Sequence, residues 1–373
     1  MKHTGSICLE KTAPGYWGLT ESTETAEAIE ITKCGADPVS APHKGRFVKM
    51  ENNVRNILPG PMREVFDSIV EQRVLGASNH IAMVGDMIEA VVRRGEDEQR
   101  PADQVIDEIL AVADFFIATR GEASQAVSNA ILLMTHNIRS YAGMDLKEAA
   151  PLILETKNSY ARTAAEAVKQ CVAYGVRLAE TMETIFVYDY SSTVEKFLRG
   201  LKENGKQYTV YIAESRIIDG GRPFVKACLE SGHKIKFIPE ASMMYYLKDC
   251  HGAFMGAETF YPDGTGFNTT GSDIVGLICR HYGVPLYFLT PLIKLDIRPV
   301  FGGRKKLVYD DLKEKLTANW GEDLDRGSVD FITPELVGVE PEFIRGFVTE
   351  KGVIPSGQMY GISMEYSRNL RGV

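Results

Sequence analysis

Between Thr184 and Thr290, five short runs rich in β-branched and aromatic residues recur: IFVY (185–188), YTVYIA (208–213), KIKFIP (234–239), GAFMGA (252–257) and PLYFLT (285–290). Amphipathic stretches such as RPFVKACLESG and SDIVGLICRHYG separate them. Short apolar runs alternating with helical patterns are the mark of βαβ units, whose right-handed crossovers impose a mainly parallel sheet. Residues 184–373 are therefore expected to form a Rossmann-like domain.

The first half has another rhythm. In 101-PADQVIDEILAVADFFIATR-120, Val105, Ile109, Val112 and Phe116 recur at helical spacing behind a Pro-Ala-Asp start signal. Similar stripes run through 62-MREVFDSIVEQRV-74, 124-SQAVSNAILLM-134 and 159-SYARTAAEAVKQCVAYGVRLAETM-182, so residues 51–183 read as a helical domain. Residues 1–50, rich in Thr, Glu, Gly and Pro, read as an irregular extension with short strands at most, packed on the body. The fold class is α/β: a helical N-terminal domain, then a Rossmann-like, mainly parallel-sheet C-terminal domain.

Composition narrows the function classes. A net charge of −8 and a pI near 5.5 argue against nucleic acid or an anionic membrane as the main partner. The six cysteines show no CxxC or CxxH pairing, and no histidines fall in HxxxH or HxH, so neither zinc nor a disulfide framework is expected; His281 reads as structural. The N-terminus has no basic run before an apolar core, and no apolar run reaches the length of a membrane span, which points to the cytoplasm. GxGxxG does not follow the first strand, and GxxxxGK with Ser or Thr occurs nowhere, so no dinucleotide or nucleotide cofactor is expected.

In open α/β sheets ligands bind just past the carboxyl ends of the strands. Those ends carry Asp189-Tyr190-Ser191-Ser192, Glu214-Ser215-Arg216, Glu258 and the loop 261-YPDGTGFNTTGSD-273. Asp189 and Glu258 read as an acid/base pair able to move protons on a polyol or sugar. Arg216, Arg222 and the helix start at Gly271 and Ser272 would hold anionic or hydroxyl groups. Plainer readings stand beside these: Asp189 as a helix N-cap, Glu258 as the partner of an arginine, and Arg120 of TRGEAS as a solvated loop arginine.

Taken together, IFVYDYSSTVEKFL, ESRIIDGGRP, FMGAETFYPDGTGFNTTGSDIVGLICRHYGVPLYFLTPLIKLD, ITPELV and FVTEKGVIP, with VLGASNHIA and ATRGEASQAVSNAI upstream, resemble a known family over roughly residues 60–358. It joins methylthioribose-1-phosphate isomerase, archaeal ribose-1,5-bisphosphate isomerase and the regulatory α, β and δ subunits of the exchange factor for eukaryotic translation initiation factor two. The resemblance implies the two-domain fold above and a homodimer formed mainly through the C-terminal domain. It implies a cysteine and an aspartate as the isomerases' catalytic pair, and here those positions hold Asp189 and Glu258. The isomerases' phosphate-binding arginine, glutamine and lysine fall on Leu75, Gly220 and Thr269, whereas Gly76, Ala77, Arg120, Arg216, Gly221, Asn268, Gly271 and Ser272 are kept. At about 1.5–3 kcal/mol per charge-assisted contact, these losses should weaken phosphate binding by several kcal/mol.

The expectation is an intramolecular oxidoreductase of the aldose–ketose type, acting on a sugar or sugar derivative other than the usual sugar 1-phosphates. Asp189 would be the base and Glu258 the acid. Arg120 and Arg216 would orient the ligand, a sugar or sugar phosphate, and Asn268 with the Gly271 helix start would bind hydroxyls or a residual anion. The rivals are a non-catalytic regulatory or ligand-sensing protein and a lyase or dehydratase on the same scaffold. Partners beyond a small molecule and a second copy are not expected.

Overall fold

Helices fill residues 51–178, as the apolar stripes require. The computed structural model describes residues 6–11, 17–22, 51–74, 76–305, 307–321 and 324–371. After a helical segment at 51–57 come α1 (Gly60–Val70), α2 (Ala77–Asp97), α3 (Ala102–Ala123), α4 (Gln125–Met134) and α5 (Leu146–Leu178). Val105, Ile109, Val112 and Phe116 turn one face of α3 inward, where they are fully buried with Phe66, Val84, Ile88 and Ile153. Each such side chain contributes about 1.5–3 kcal/mol by leaving water. Phe66, Phe115 and Phe116 form a ring cluster with centroids 5.1 to 5.4 Å apart.

The sheet has seven strands in the order β14-β13-β9-β6-β3-β4-β5. These are β3 (Thr184–Tyr188), β4 (Thr209–Ala213), β5 (Lys234–Ile238), β6 (Gly252–Met255), β9 (Leu286–Leu289), β13 (Gly346–Thr349) and β14 (Gly352–Ile354). All neighbours pair parallel except β13 with β14. Without that edge strand the order is that of a doubly wound dinucleotide fold, with its switch point between β3 and β6. The five apolar runs are thus all strands, and helices α6 (Ser192–Gly200), α7 (Arg222–Glu230) and α9 (Ser272–Tyr282) lie where the amphipathic stretches were read. A short helix, α8 (Met243–Leu247), follows β5.

One expectation changes. The segment 261–273 was read as a loop, but Gly266–Thr269 is a strand, β8, between β7 (Thr259–Phe260) and β12 (Leu336–Val339) in a small antiparallel sheet. Its pairing partner lies far along the chain, Thr269 opposite Leu336, so no local pattern announces it.

The N-terminal residues form a compact unit of their own, Met1–Lys49. In it β1 (Ser6–Lys11) and β2 (Trp17–Ser22) pair antiparallel, Ser6 opposite Ser22. The rest of the expected irregular extension lies outside the described residues. Among the described residues no helix is long and apolar enough to cross a membrane.

Candidate functional site

β3 is apolar up to Tyr188 and then delivers Asp189 at the switch point. Asp189 has a φ of 57°, a left-handed conformation that Asp tolerates better than most residues. The residue is only 3% exposed, yet its carboxyl is well provided with donors. Ser215 Oγ, at the end of β4, donates to Oδ1 at 2.9 Å, and Thr269 Oγ1, at the end of β8, donates to Oδ2 at 2.8 Å. Burial pushes the Asp189 carboxyl above its ordinary range, and the Thr269 and Ser215 hydroxyls with the Tyr190 amide offset part of that. Ser215 is also left-handed, with φ 48°, so both partners occupy costly backbone conformations at one spot. The cap of α6 is Ser191, whose Oγ accepts from Val194 N, and the capping reading of Asp189 falls away.

Glu258 follows β6 on the link to β7. Its amide donates to Phe267 O at 2.8 Å, which fixes the backbone. Its half-buried carboxylate accepts from Ser124 Oγ at 3.1 Å, a hydroxyl at the start of α4, in place of the arginine that the plainer reading required. Asp189 and Glu258 line one cavity of about 260 Å³, together with Ser191, Asn268, Lys294 and Glu335. Buried Asn268 donates to Ser272 Oγ at 3.1 Å, and Lys294 Nζ donates to Ala257 O at 2.6 Å. Burial, then Asp310 and Glu258, push the Glu335 carboxyl upward, while Lys305 acts against them.

The kept cations do not reach this cavity. Arg120 lies in the last turn of α3, where Nη2 donates to Val70 O at 2.8 Å, because that turn packs against the end of α1. It is neither the loop arginine nor part of the cavity lining. Arg216 is exposed, with its amide donating to Glu240 Oε2 at 3.1 Å, and Arg222 lines a separate groove with Glu214, Asp219 and Lys226. Gly76 and Ala77 open α2 and Gly221 caps α7; none of the three lines the cavity. Leu75 lies outside the described residues. Gly271, with φ 101°, opens α9, and Ser272 stands one hydrogen bond behind Asn268.

Three features were missed in the sequence. Lys294, in TPLIKLD just past β9, obeys the strand-end rule and could have been found by it. Glu335 is brought to the cavity by the β8–β12 pairing, for which the sequence carries no local signal. The third feature is a coupling: a Cβ on Gly220 would stand 2.1 Å from Asp189 Oδ1, and Thr269 binds the other oxygen. Positions 189, 220 and 269, read in the sequence as departures from the isomerase pattern, form one contact set in this structure. Among the described residues no group of acidic, histidine and cysteine side chains could hold a metal ion.

Comparison with known proteins agrees with this architecture. Residues 77–356 match the model of the Initiation factor 2 subunit family. A translation initiation factor eIF-2B subunit 2-like protein of Pyrococcus furiosus is 27% identical over 201 residues, which is 52% of this chain and 66% of that protein. The ribose 1,5-bisphosphate isomerase of Thermococcus kodakarensis is 20% identical over 260 residues, 68% of this chain and 79% of that one. The crystal structure of 5-methylthioribose 1-phosphate isomerase from Pyrococcus horikoshii OT3 has a TM-score of 0.63 at 14% identity, over 98% of this chain and 96% of that one. At that identity the likeness carries the fold alone.

Proposed function

The chain belongs to the initiation factor 2 subunit family, and from that premise we propose that it is an acid–base isomerase of the aldose–ketose type, acting on a hydroxylated small molecule at the β3/β6 switch point. Relatives named as sugar-phosphate isomerases and relatives named as eIF-2B subunits both occur among similar proteins. The observation that carries the enzymatic reading is that two carboxyl groups, Asp189 and Glu258, line one cavity and one of them is buried.

A free carboxylate is a weak base for carbon acids. Burial raises the basicity of Asp189 in the direction a base requires. Asp189 takes the proton from the hydroxyl-bearing carbon next to the carbonyl, while Glu258 gives a proton to the carbonyl oxygen. The resulting enediol then returns both: Asp189 protonates the former carbonyl carbon, and Glu258 recovers the proton from the neighbouring hydroxyl. One carbon is oxidised, its neighbour is reduced, and no external oxidant enters. Asn268 and Ser191 supply polar contacts for the remaining hydroxyls. The substrate is a sugar or sugar derivative other than the usual sugar 1-phosphates, consistent with the positions of Arg120 and Arg216.

The test is an NMR time course over a panel of pentoses, deoxysugars and their phosphates, with wild type, Asp189→Asn and Glu258→Gln. Each substitution should lower turnover by about 10²–10⁴-fold, the usual contribution of a general acid or base. Wild-type-like turnover in Asp189→Asn would sink the assignment.

One observation favours a second reading, a non-catalytic ligand sensor. Both Asp189 oxygens already accept hydroxyl hydrogens, which favours the charged form and lowers its basicity, against what a base requires. A sensor would bind a panel compound, leave it unchanged for hours, and bind it equally in Asp189→Asn. We further place the protein in the cytosol as a homodimer joined through its C-terminal half, where exposed Ile274 and Leu277 give α9 an apolar outer strip. A monomeric mass in light scattering would refute the dimer.

A further inference from the structure

We infer that the cavity selects an uncharged, hydroxyl-rich ligand, an unphosphorylated sugar or polyol, and that Glu335 is the residue that turns phosphate esters away. The inference rests on the proposed reading of the cavity as a sugar site and adds the charge of the substrate.

Three carboxyl groups line the cavity, those of Asp189, Glu258 and Glu335, against one ammonium, that of Lys294. That ammonium donates to Ala257 O at 2.6 Å. Lys305 acts electrostatically on both Glu258 and Glu335, but its ammonium donates to Ala123 O at 2.6 Å, and burial pulls its pKa down. The arginines that would meet a phosphate are held elsewhere, Arg120 on Val70 O and Arg216 at the exposed surface. A phosphate dianion entering this lining meets like charge without an arginine fork to compensate. A neutral hydroxyl meets the opposite: carboxylates accept its hydrogen, and Asn268 or a serine donates to its oxygen.

Glu335 is built into this position. It stands between β11 (Ile332–Pro334) and β12, its amide donates to Val308 O at 2.8 Å, and its carbonyl accepts from Thr270 N at 3.0 Å. Its backbone is therefore pinned from both sides, and the adjoining β8 also carries Thr269, the donor to Asp189. The carboxyl is more than half shielded by protein, so its charge is less screened by water than that of a surface carboxylate.

Titration calorimetry on the full chain, with four free pentoses and the corresponding pentose 5-phosphates as probes, tests this at low and high salt. A free pentose should bind at least tenfold more tightly than its phosphate, with an affinity that added salt leaves unchanged. In Glu335→Gln the free pentose should bind within about threefold of wild type, whereas the phosphate gains tenfold or more. Glu335→Lys should make the phosphate the better ligand. A merely structural role for Glu335 would weaken both ligands alike in the glutamine variant, and that result overturns the specificity claim. Tighter binding of the phosphate by wild type, weakened by salt, overturns the inference and leaves the isomerase reading standing. Binding of neither compound removes both.

Discussion

Asp189 sits where burial and hydrogen bonding pull in opposite directions, and its titration reports which prevails. Its carboxyl is raised by burial, so the folded chain holds the proton more tightly than the unfolded chain does. The stabilisation this gives is complete below the unfolded value, near 3.9, and is lost as pH rises through the folded value. Asparagine carries no such loss, so the melting temperature of Asp189→Asn minus that of wild type should grow as pH rises from about 4 to 8. Thermal melts across that range check it; a flat or falling difference would show that the hydroxyl donors outweigh burial. At this scale the sequence named Asp189, Glu258 and Asn268, which line one cavity, because strand ends and matched motifs are local. It could not place Arg120 or Arg216, since their direction depends on the Val70 carbonyl and on the turn at Ser215. Glu335 was hidden because the pairing that presents it, Thr269 opposite Leu336, joins segments far apart in the chain.

Elements are held to the site by close backbone approaches, and one of them is at the start of α9. Gly271 has a φ of 101°, and a Cβ there would stand 2.1 Å from the Tyr188 hydroxyl. That hydroxyl is within hydrogen-bond distance of Thr270 O and Glu240 Oε1, so Tyr188, at the end of β3, is pinned between β8 and the turn after β5. Gly271→Ala must both strain the backbone and displace the tyrosine, and should cost at least about 2 kcal/mol in urea unfolding. A cost below about 0.5 kcal/mol would mean that the loop relaxes freely. The strands themselves were legible because short β-branched and aromatic runs between turn signals are a local pattern, which holds even for the largely exposed β5: the five apolar segments match β3, β4, β5, β6 and β9 closely. β8 was not, because a four-residue strand among Gly, Asn and Thr is recognisable only beside β12.

Over the whole body from Met50 to Val373, α5 is the member shared by both halves. Near its start Ala149, Ala150, Ile153 and Leu154 belong to the helical core, and near its end Val172, Val176 and Leu178 pack on one face of the parallel sheet. Its middle carries exposed residues, Ala165 among them, so a 33-residue helix ties two cores together across a stretch that buries little. Further ties are polar, among them Ser124 to Glu258, Asn129 Nδ2 to the Leu295 carbonyl at 2.8 Å, and Arg298 to Glu122 at 2.7 Å. Sequence periodicity separates the helical half from the sheet half but says nothing about how strongly they are coupled, since the coupling lies in one helix counted with the first half. If α5 carries it, wild type melts in one calorimetric transition. Ala165→Pro, which removes one helical hydrogen bond and clashes with the preceding turn at a cost of about 3 kcal/mol, should then split the melt in two. A single transition in the variant would move the coupling to the Ser124, Asn129 and Arg298 contacts. Two transitions already in wild type would show that the halves fold independently and meet at the cavity only as docked bodies.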